Sequence, residues 1–406
     1  MTQASGTVGV SRAGDARVIG VISAAHFVAH YYTLLLAPLF VFVRADYGVS
    51  YTELGLALTA FNIVSATLQT PAGFLIDRLG PRLPLIGGLL LGASAFAVAG
   101  LVHSFLVFVA MFAVAGLGNT VYHPADYALL SHRIAPNRLS HAFSIHTFAG
   151  MLGSAVAPPT VLLMQNQWGW RGAFVGAAIL GFAVAAVLAL QPGNGGSQHE
   201  PSTPGRQRDD KSAGWQLLLS PPIMLNLLFF LLLATVNSGV YNYSVAALNA
   251  AYGTPAAVAN AGLTAFLLLS SLGVLAGGFI ASRTTHHSLV AIGGVIITAA
   301  AVMLIANIDL GTILLVVVMA AGGFFSGAIM PSRDMIVREV TPPGSFGKVF
   351  GFVTTGFNLG GVISPLIFGA IMDHGNPRMV FVVIAAFCLL AIATVLSRPK
   401  RAAKSG

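Results

Sequence analysis

Long runs of apolar residues alternate with short polar or Gly/Pro-containing segments along the whole 406-residue chain. Runs such as 83–102 and 379–396 have about the 20 apolar residues that a helix needs to cross a bilayer. Because lipid offers no partner for an unpaired backbone amide, each such span is predicted to be helical. The pattern predicts twelve spans, at residues 18–43, 52–76, 83–102, 105–131, 139–165, 171–190, 220–248, 258–281, 288–307, 311–337, 346–371 and 378–397.

Composition agrees with a membrane protein, since 56% of the residues are hydrophobic and only 8% are charged. Residues 1–17 are polar and lack the compact apolar stretch of a signal peptide, so we expect a cytoplasmic tail. The single cysteine, Cys388, excludes an intramolecular disulfide and a multi-cysteine metal site. The formal charge is +8, but no dense basic patch with interleaved aromatic residues is present, so we expect no nucleic-acid partner.

The distribution of basic residues predicts the orientation. If the N-terminus is cytoplasmic, sixteen of the 20 Lys and Arg residues lie in or next to cytoplasmic segments. Only Arg44, Arg171 and Arg378 fall on the other side, and Arg333 lies within a span. Short cytoplasmic loops carry such an excess, so we expect a multi-pass protein of the inner membrane with both termini in the cytoplasm.

A Pro/Gly/Ser-rich, charged stretch divides the chain into two sets of six spans. The predicted organisation is a tail at 1–17, a six-helix bundle at 18–190, a cytoplasmic linker at 191–219, a second bundle at 220–397 and a tail at 398–406.

The two halves are related in sequence. A shift of 207 residues places Pro124 on Pro331, and a shift of 205 places Gly48 on Gly253. A parallel repeat of six helices is typical of transporters in which two bundles rock about a midplane site. The predicted fold class is therefore an all-α membrane protein with twelve transmembrane helices in two pseudo-symmetric six-helix bundles.

The loop between the second and third spans carries a family signature. The segment "GFLIDRLGPR", residues 73–82, resembles the conserved cytoplasmic loop of the major facilitator superfamily. Gly73 would permit close helix packing, and Asp77 would face a helix N-terminus or a basic partner and latch one conformation. In the second half Ser282 replaces the aspartate, so the latch would be asymmetric. The matching residues are Gly73, Asp77, Arg78, Gly80 and Arg82.

Three further segments resemble the fosmidomycin-resistance branch of efflux proteins within that superfamily. They are "AAHFVAHYY" in span one, "VYHPAD" in span four and "SIHTFAGMLGSAVAPP" in span five. That branch has an acid four residues after the first histidine, where this chain has His30. It also has an acid directly after His-Pro, where this chain has Ala125 and then Asp126. The resemblance implies efflux of a small organic compound.

Ionisable side chains at bilayer depth are costly, so each needs a partner or a watery cavity. The repeat places Asp126 on Arg333. We expect Asp126 to titrate and Arg333 to attract an anion, with direct pairing of the two in an empty cavity. A structural ion pair, or an Arg333–Asp334 pair, is the alternative. The candidate substrate and proton site comprises His26, His30, Asn119, His123, Asp126, His146, Asn237, Tyr241, Arg333 and Asn358.

The histidines admit a second interpretation. The segment "HFVAH" has the spacing of two zinc ligands on one helix face but lacks the glutamate of a zinc protease. We assign no metal site, and an intramembrane metal-binding protein or metal transporter remains the alternative from another class.

The sequence favours a secondary active transporter over an enzyme. No glycine-rich loop ending in Gly-Lys-Ser/Thr is present, so ATP hydrolysis is not expected, and no cofactor is predicted. The expected partners are a small, anionic organic substrate, protons and membrane lipid, and the protein is expected to be a monomer. Proton-coupled efflux by alternating access is favoured, and proton-coupled uptake of an organic acid is the alternative.

Overall fold

The computed structural model of the chain describes residues 12–191, 216–342 and 345–397. These residues are almost entirely helical, with no β-strand among them. Most of the predicted linker, the predicted C-terminal tail and the first eleven residues lie outside the described ranges. The first helix begins at Arg12, inside the predicted N-terminal tail.

The helices of the first half are numbered in chain order. They are α1 (Arg12–Thr33), α2 (Phe40–Tyr47), α3 (Tyr51–Leu79), α4 (Arg82–Leu101), α5 (Phe105–Asn119), α6 (Tyr122–Arg133) and α7 (Pro136–Leu190). A short 3₁₀ turn, Ala37–Leu39, precedes α2.

The numbering continues with the six long helices among the described residues of the second half. They are α8 (Pro221–Tyr252), α9 (Ala256–Arg283), α10 (His287–Asn307), α11 (Gly311–Val340), α12 (Phe346–Asp373) and α13 (Pro377–Leu396).

Ten helical segments of the described chain are long and apolar enough to cross a membrane. One of them, His141–Leu190, contains two spans, because the backbone of Gly169 leaves the helical region at φ 70° and ψ 171°. Helix α3 is more polar, but its 29 residues are also enough to cross a bilayer. The predicted twelve spans in two bundles are thereby confirmed, with α1 and α2 forming span one and α5 and α6 forming span four.

The two halves end equivalent helices in the same way. Gly48 ends α2 and Gly253 ends α8, each with a φ of 66°, a left-handed conformation that glycine adopts without a Cβ clash. These are the two glycines that the sequence repeat superposes. The repeat is therefore structural as well as sequential.

The halves are joined on the side opposite the ends of the chain. We call the side where α1 begins and α13 ends the terminal side, and the opposite one the far side. On the far side, Asp373 at the end of α12 accepts hydrogen bonds from the backbone N–H groups of Tyr51 (2.7 Å) and Thr52 (2.8 Å) at the start of α3. Deeper along the same seam, Asn62 Nδ2 donates to the carbonyl of Gly361 at 3.1 Å. The far side is therefore closed by direct bonds between the bundles.

Candidate functional site

A cavity of about 450 Å³ lies between the two bundles. Polar groups from both halves line it: His30 and Asn62 from the first half, and Asn237, Tyr241 and Asn242 from the second. No Asp, Glu, Lys or Arg side chain is among the described residues that line it. The cavity therefore offers hydrogen bonds and one imidazole rather than a fixed charge.

The cavity communicates with the terminal side. A neighbouring opening of about 580 Å³ lies between the first part of α7 and the last part of α9. The two spaces share Thr147, Met151, Ser271 and Val274 as lining residues. With the far side closed by the Asp373 bonds, this conformation opens toward the terminal side.

Beside the cavity, four histidines gather around Asp126 inside the first bundle. Asp126 and His146 are completely buried, and His26 is 4% exposed. His26 Nδ1 lies 3.4 Å and His146 Nε2 lies 3.8 Å from Asp126 Oδ2. Neither carboxylate oxygen has a hydrogen-bond partner among the described residues. The carboxyl group is therefore close to two imidazoles, and no Arg or Lys of the described ranges forms an ion pair with it.

His26 connects this cluster to the cavity. Its ring centroid is 3.8 Å from that of His146 and 4.6 Å from that of His30, which lies on the cavity wall. His30 Nδ1 is 3.2 Å from Ser154 Oγ, a bond that fixes the ring orientation. His123 stands beside the group, with its ring centroid 5.1 Å from that of His26. A continuous row of imidazoles thus leads from the cavity wall to Asp126.

An interruption in the fourth span positions His123 and Asp126. The fourth span is interrupted at Thr120 and Val121, so α6 begins just before His123 and Asp126. Pro124 is in the first turn of α6, where its missing N–H costs no intrahelical bond. The backbone keeps right-handed dihedrals there, with φ −61° and ψ −27° at Thr120 and φ −91° and ψ −20° at Val121, so the interruption is a kink and not an unwound segment. The span is therefore kinked just before the motif that carries His123 and Asp126.

Glycines on α7 make room for the histidines. A Cβ atom on Gly150 would lie 2.5 Å from His26 Cδ2 and 2.9 Å from His30 Cδ2. A Cβ atom on Gly153 would meet the backbone of Phe27. Close approach of α1 and α7 at these glycines is what packs the imidazoles together.

The structure does not pair Asp126 with Arg333, contrary to the expectation for an empty cavity. Arg333 instead binds Asp334, with 2.8 Å between Nη2 and Oδ1, and its guanidinium lies over the rings of Phe230 (4.4 Å) and Phe357 (4.9 Å). These contacts hold the guanidinium within the second bundle, and Arg333 is not among the residues lining the cavity. In this conformation the alternative Arg333–Asp334 pair is the one formed.

The remaining predicted site residues divide into two groups. Asn237 and Tyr241 share the cavity wall, and Ser326 Oγ donates to Asn237 Oδ1 at 3.2 Å, which leaves the amide N–H groups of Asn237 for a ligand. Asn119 donates to Ser65 Oγ at 2.7 Å, and Asn358 is half-buried on α12. Neither Asn119 nor Asn358 lines the cavity in this conformation.

The candidate residues predicted from the sequence come from spans one, four, five, seven, ten and eleven, and they omit two helices that line the cavity. Asn62 on α3 (span two) and Ser270 and Ser271 on α9 (span eight) also line the cavity. The signal for Asn62 was available, because its amide lies within the largely apolar stretch 54–68 of span two. The serines gave no such signal, since small polar residues also serve helix packing.

The predicted latch is not engaged on the terminal side. Asp77 and Arg78 are exposed, and Asp77 forms no ion pair with any residue of the described ranges. A Cβ atom on Gly73 would meet nothing within 4 Å, so the expected close packing there is absent in this conformation. Gly80 ends α3 with a φ of 76°, and Arg82 donates to the carbonyls of Leu188 and Ala189 at the end of α7.

The geometry of the histidine cluster would also suit a metal ion. One ligand atom from each of His26, Asp126 and His146 lies within 4.8 Å of the other two. Two imidazole nitrogens and a carboxylate oxygen form a donor set that Zn²⁺ accepts.

A fold of twelve spans in two repeated bundles, with a polar cavity open to one side, defines the class of secondary transporters. The sequence model of the Major Facilitator Superfamily matches residues 22–246 and again residues 227–406. The chain therefore belongs to the major facilitator superfamily, a superfamily of membrane transporters, and the resemblance seen in its loop signature is confirmed.

Relatives and a solved structure agree with this assignment. The fosmidomycin resistance protein of Escherichia coli K12 is 22% identical over 388 residues, 93% of this chain and 92% of that protein. A probable L-galactonate transporter of the same organism is 32% identical over 143 residues, but the match spans only 35% of this chain and 32% of the relative. The inward-facing, unoccupied structure of a bacterial homologue of the human lysosomal transporter Spinster has a TM-score of 0.78 at 15% identity. That alignment covers 97% of this chain and 100% of the other.

Proposed function

We propose that this protein is a proton-coupled secondary transporter that moves a small organic anion across the inner membrane by alternating access, with efflux favoured. The observation that carries the proposal is the buried Asp126, which lacks a Lys or Arg partner in the described ranges and lies among histidines. Ionisable groups at membrane depth mark proton relays, and imidazole titrates near physiological pH.

The row of imidazoles supplies a path for the proton. A proton entering from the terminal side would reach His30 on the cavity wall, pass to His26 and then to Asp126. Protonation of Asp126 removes a buried charge from the first bundle, which changes the free energy of packing the bundles around the site. Such a change is what couples proton binding to a switch between two conformations.

The cavity favours an anion or a neutral solute over a cation. A cationic substrate would meet no carboxylate among the described lining residues, whereas a protonated His30 would attract a carboxylate or another small anion. The amide N–H groups of Asn237 and the hydroxyl of Tyr241 would donate hydrogen bonds to its oxygen atoms. The relative named as an L-galactonate transporter also suggests a carboxylate substrate.

Orientation and direction rest on separate observations. Arginine and lysine residues concentrate on the terminal side, which supports cytoplasmic termini, so the opening described above would face the cytoplasm. Near full-length similarity to a fosmidomycin resistance protein favours efflux. The partial match to the L-galactonate transporter favours the second candidate, proton-coupled uptake of an organic acid.

Reconstitution into liposomes that contain a pH-sensitive dye tests the proposal. Fosmidomycin and L-galactonate serve as probe substrates, and substrate movement is followed together with internal pH. Coupled efflux predicts proton movement opposite to the substrate, whereas movement in the same direction would support uptake. Asp309→Asn is the matched control for the variant Asp126→Asn. Asp309 is exposed, and among the described residues its carboxylate accepts a hydrogen bond only from the backbone N–H of Gly311. Substrate transport that neither changes internal pH nor responds to a pH gradient would overturn the proposal.

A further inference from the structure

A second, smaller cavity of about 210 Å³ lies on the terminal side of the first bundle. Three arginines from three different helices line it: Arg17 of α1, Arg82 of α4 and Arg133 of α6. Its other described lining residues are uncharged, and none of its lining residues borders the central cavity. The two cavities are therefore separate sites.

The three positive charges lack a counter-charge in the described part of the chain. None of these arginines forms an ion pair with a carboxylate there, and the nearby Asp15 is bound to Arg138 at 2.7 Å. Like charges that converge on one small space repel each other, more strongly where protein replaces water. An anion in the cavity would remove this repulsion.

One of the arginines is held in place. Arg82 donates through Nη2 to the carbonyl oxygens of Leu188 (3.2 Å) and Ala189 (3.1 Å), and also to that of Gln191. Helix α4 begins at Arg82, so the positive end of its dipole adds to the field at the cavity. A fixed guanidinium with free N–H groups binds phosphate oxygens at a lower entropic cost than a mobile one.

We propose that this cavity binds a phosphate-bearing anion. Basic pockets at the cytoplasmic ends of membrane helices recognise the head groups of anionic lipids, and a free phosphate offers the same chemistry. The ligand would stabilise the first bundle by neutralising Arg17 and Arg133 around the fixed Arg82. The proposal does not depend on proton coupling or on the identity of the transported solute.

Binding can be measured on the purified, full-length protein without any gradient. One arm records the melting temperature as inorganic phosphate replaces chloride at constant ionic strength. The other arm compares nanodiscs of phosphatidylglycerol with nanodiscs of phosphatidylcholine, and native mass spectrometry counts the phosphatidylglycerol molecules retained after delipidation. The test variant is Arg17→Gln/Arg133→Gln. The control is Arg283→Gln/Arg338→Gln, which removes the same charge from the terminal side of the second bundle.

We expect phosphate or phosphatidylglycerol to raise the melting temperature of the wild type and of the control. In the test variant most of this increase should be lost. A response to inorganic phosphate identifies a free-phosphate site, and a response to phosphatidylglycerol alone identifies a lipid head-group site. Equal responses in all three proteins, or no response of the wild type in either arm, would overturn the proposal. If the double variant is unstable, Arg17→Gln at its exposed position should show a partial loss.

Discussion

His26 joins Asp126 to the wall of the central cavity. Its Nδ1 atom lies 3.4 Å from Asp126 Oδ2, and its ring centroid is 4.6 Å from that of His30, which borders the cavity. His26 is buried and contacts both Asp126 and His30. The proposed proton path therefore runs from His30 through His26 to Asp126.

Replacing His30 tests the cavity end of this path. Glutamine keeps the polarity of the wall but cannot carry a proton, so we expect His30→Gln to slow proton-coupled transport by roughly a hundredfold, the lower range for a positioned proton carrier. Substrate exchange without a gradient should decrease much less. His286→Gln, at an exposed position, is the control and should behave as the wild type. Equal losses in coupled transport and in exchange would assign His30 to substrate binding instead.

Gly150→Ala tests whether the packing of the histidines matters. The new methyl group would lie 2.6 Å from His26 Nε2, so the ring must move, and overpacking of this kind costs about 1–3 kcal/mol. We expect lower thermal stability together with impaired proton coupling. At Gly87 on α4 a Cβ atom meets nothing within 4 Å, so Gly87→Ala should be neutral or stabilising by up to about 1 kcal/mol. Identical behaviour of the two variants would argue against a tightly packed cluster.

The two hydrogen bonds that Asp373 accepts at the start of α3 should set the balance between conformations closed and open on the far side. Asp373→Asn removes the negative charge from the helix N-terminus and one of the two acceptors, a loss of about 1 kcal/mol or roughly fivefold in population. Far-side opening should therefore become more frequent.

Distances between spin labels on the far side measure this shift. Labels at Leu101→Cys and Asn307→Cys, in a Cys388→Ser background, lie at exposed positions on opposite bundles. We expect a longer-distance population to grow in Asp373→Asn, whereas Asp309→Asn should leave the distribution unchanged. An unaltered distribution in Asp373→Asn would show that the seam does not depend on this carboxylate.

Replacing Arg333 tests whether this residue stabilises the second bundle or binds the substrate. Its guanidinium is held by Asp334 and by the rings of Phe230 and Phe357. From this geometry we expect Arg333→Gln to lower the melting temperature while probe-substrate affinity, measured by tryptophan fluorescence or calorimetry, changes less than about twofold. A tenfold loss of affinity would show instead that Arg333 attracts the anion in the substrate-bound state.

The sequence was enough to predict the fold, because apolar run length, loop charge and the repeat are local or one-dimensional signals. Gly48 and Gly253 illustrate this, since their alignment in sequence corresponds to identical helix ends in space. It also grouped His26, His30, His123 and Asp126 as one candidate site, because ionisable residues within spans are few.

Side-chain contacts between the two bundles could not be predicted from the sequence in this way. The repeat placed Asp126 opposite Arg333, but pseudo-symmetry relates positions in two bundles without bringing their side chains together. Local contacts decided the outcome, because Asp334 is the next residue to Arg333 and Phe230 packs from a neighbouring helix. The Asp373 bonds to Tyr51 and Thr52 join residues more than 300 positions apart, and no pattern in the sequence marks them.

Asp126→Asn tests the central claim most directly. In liposomes with a pH-sensitive dye, asparagine preserves the size of the side chain but cannot bind or release a proton at neutral pH. We predict that Asp126→Asn still binds fosmidomycin or L-galactonate and exchanges it across the membrane, while substrate-driven proton movement and stimulation by a pH gradient are lost. Full proton coupling in Asp126→Asn, with Asp309→Asn and the wild type as references, would contradict the assignment of Asp126 as the proton site.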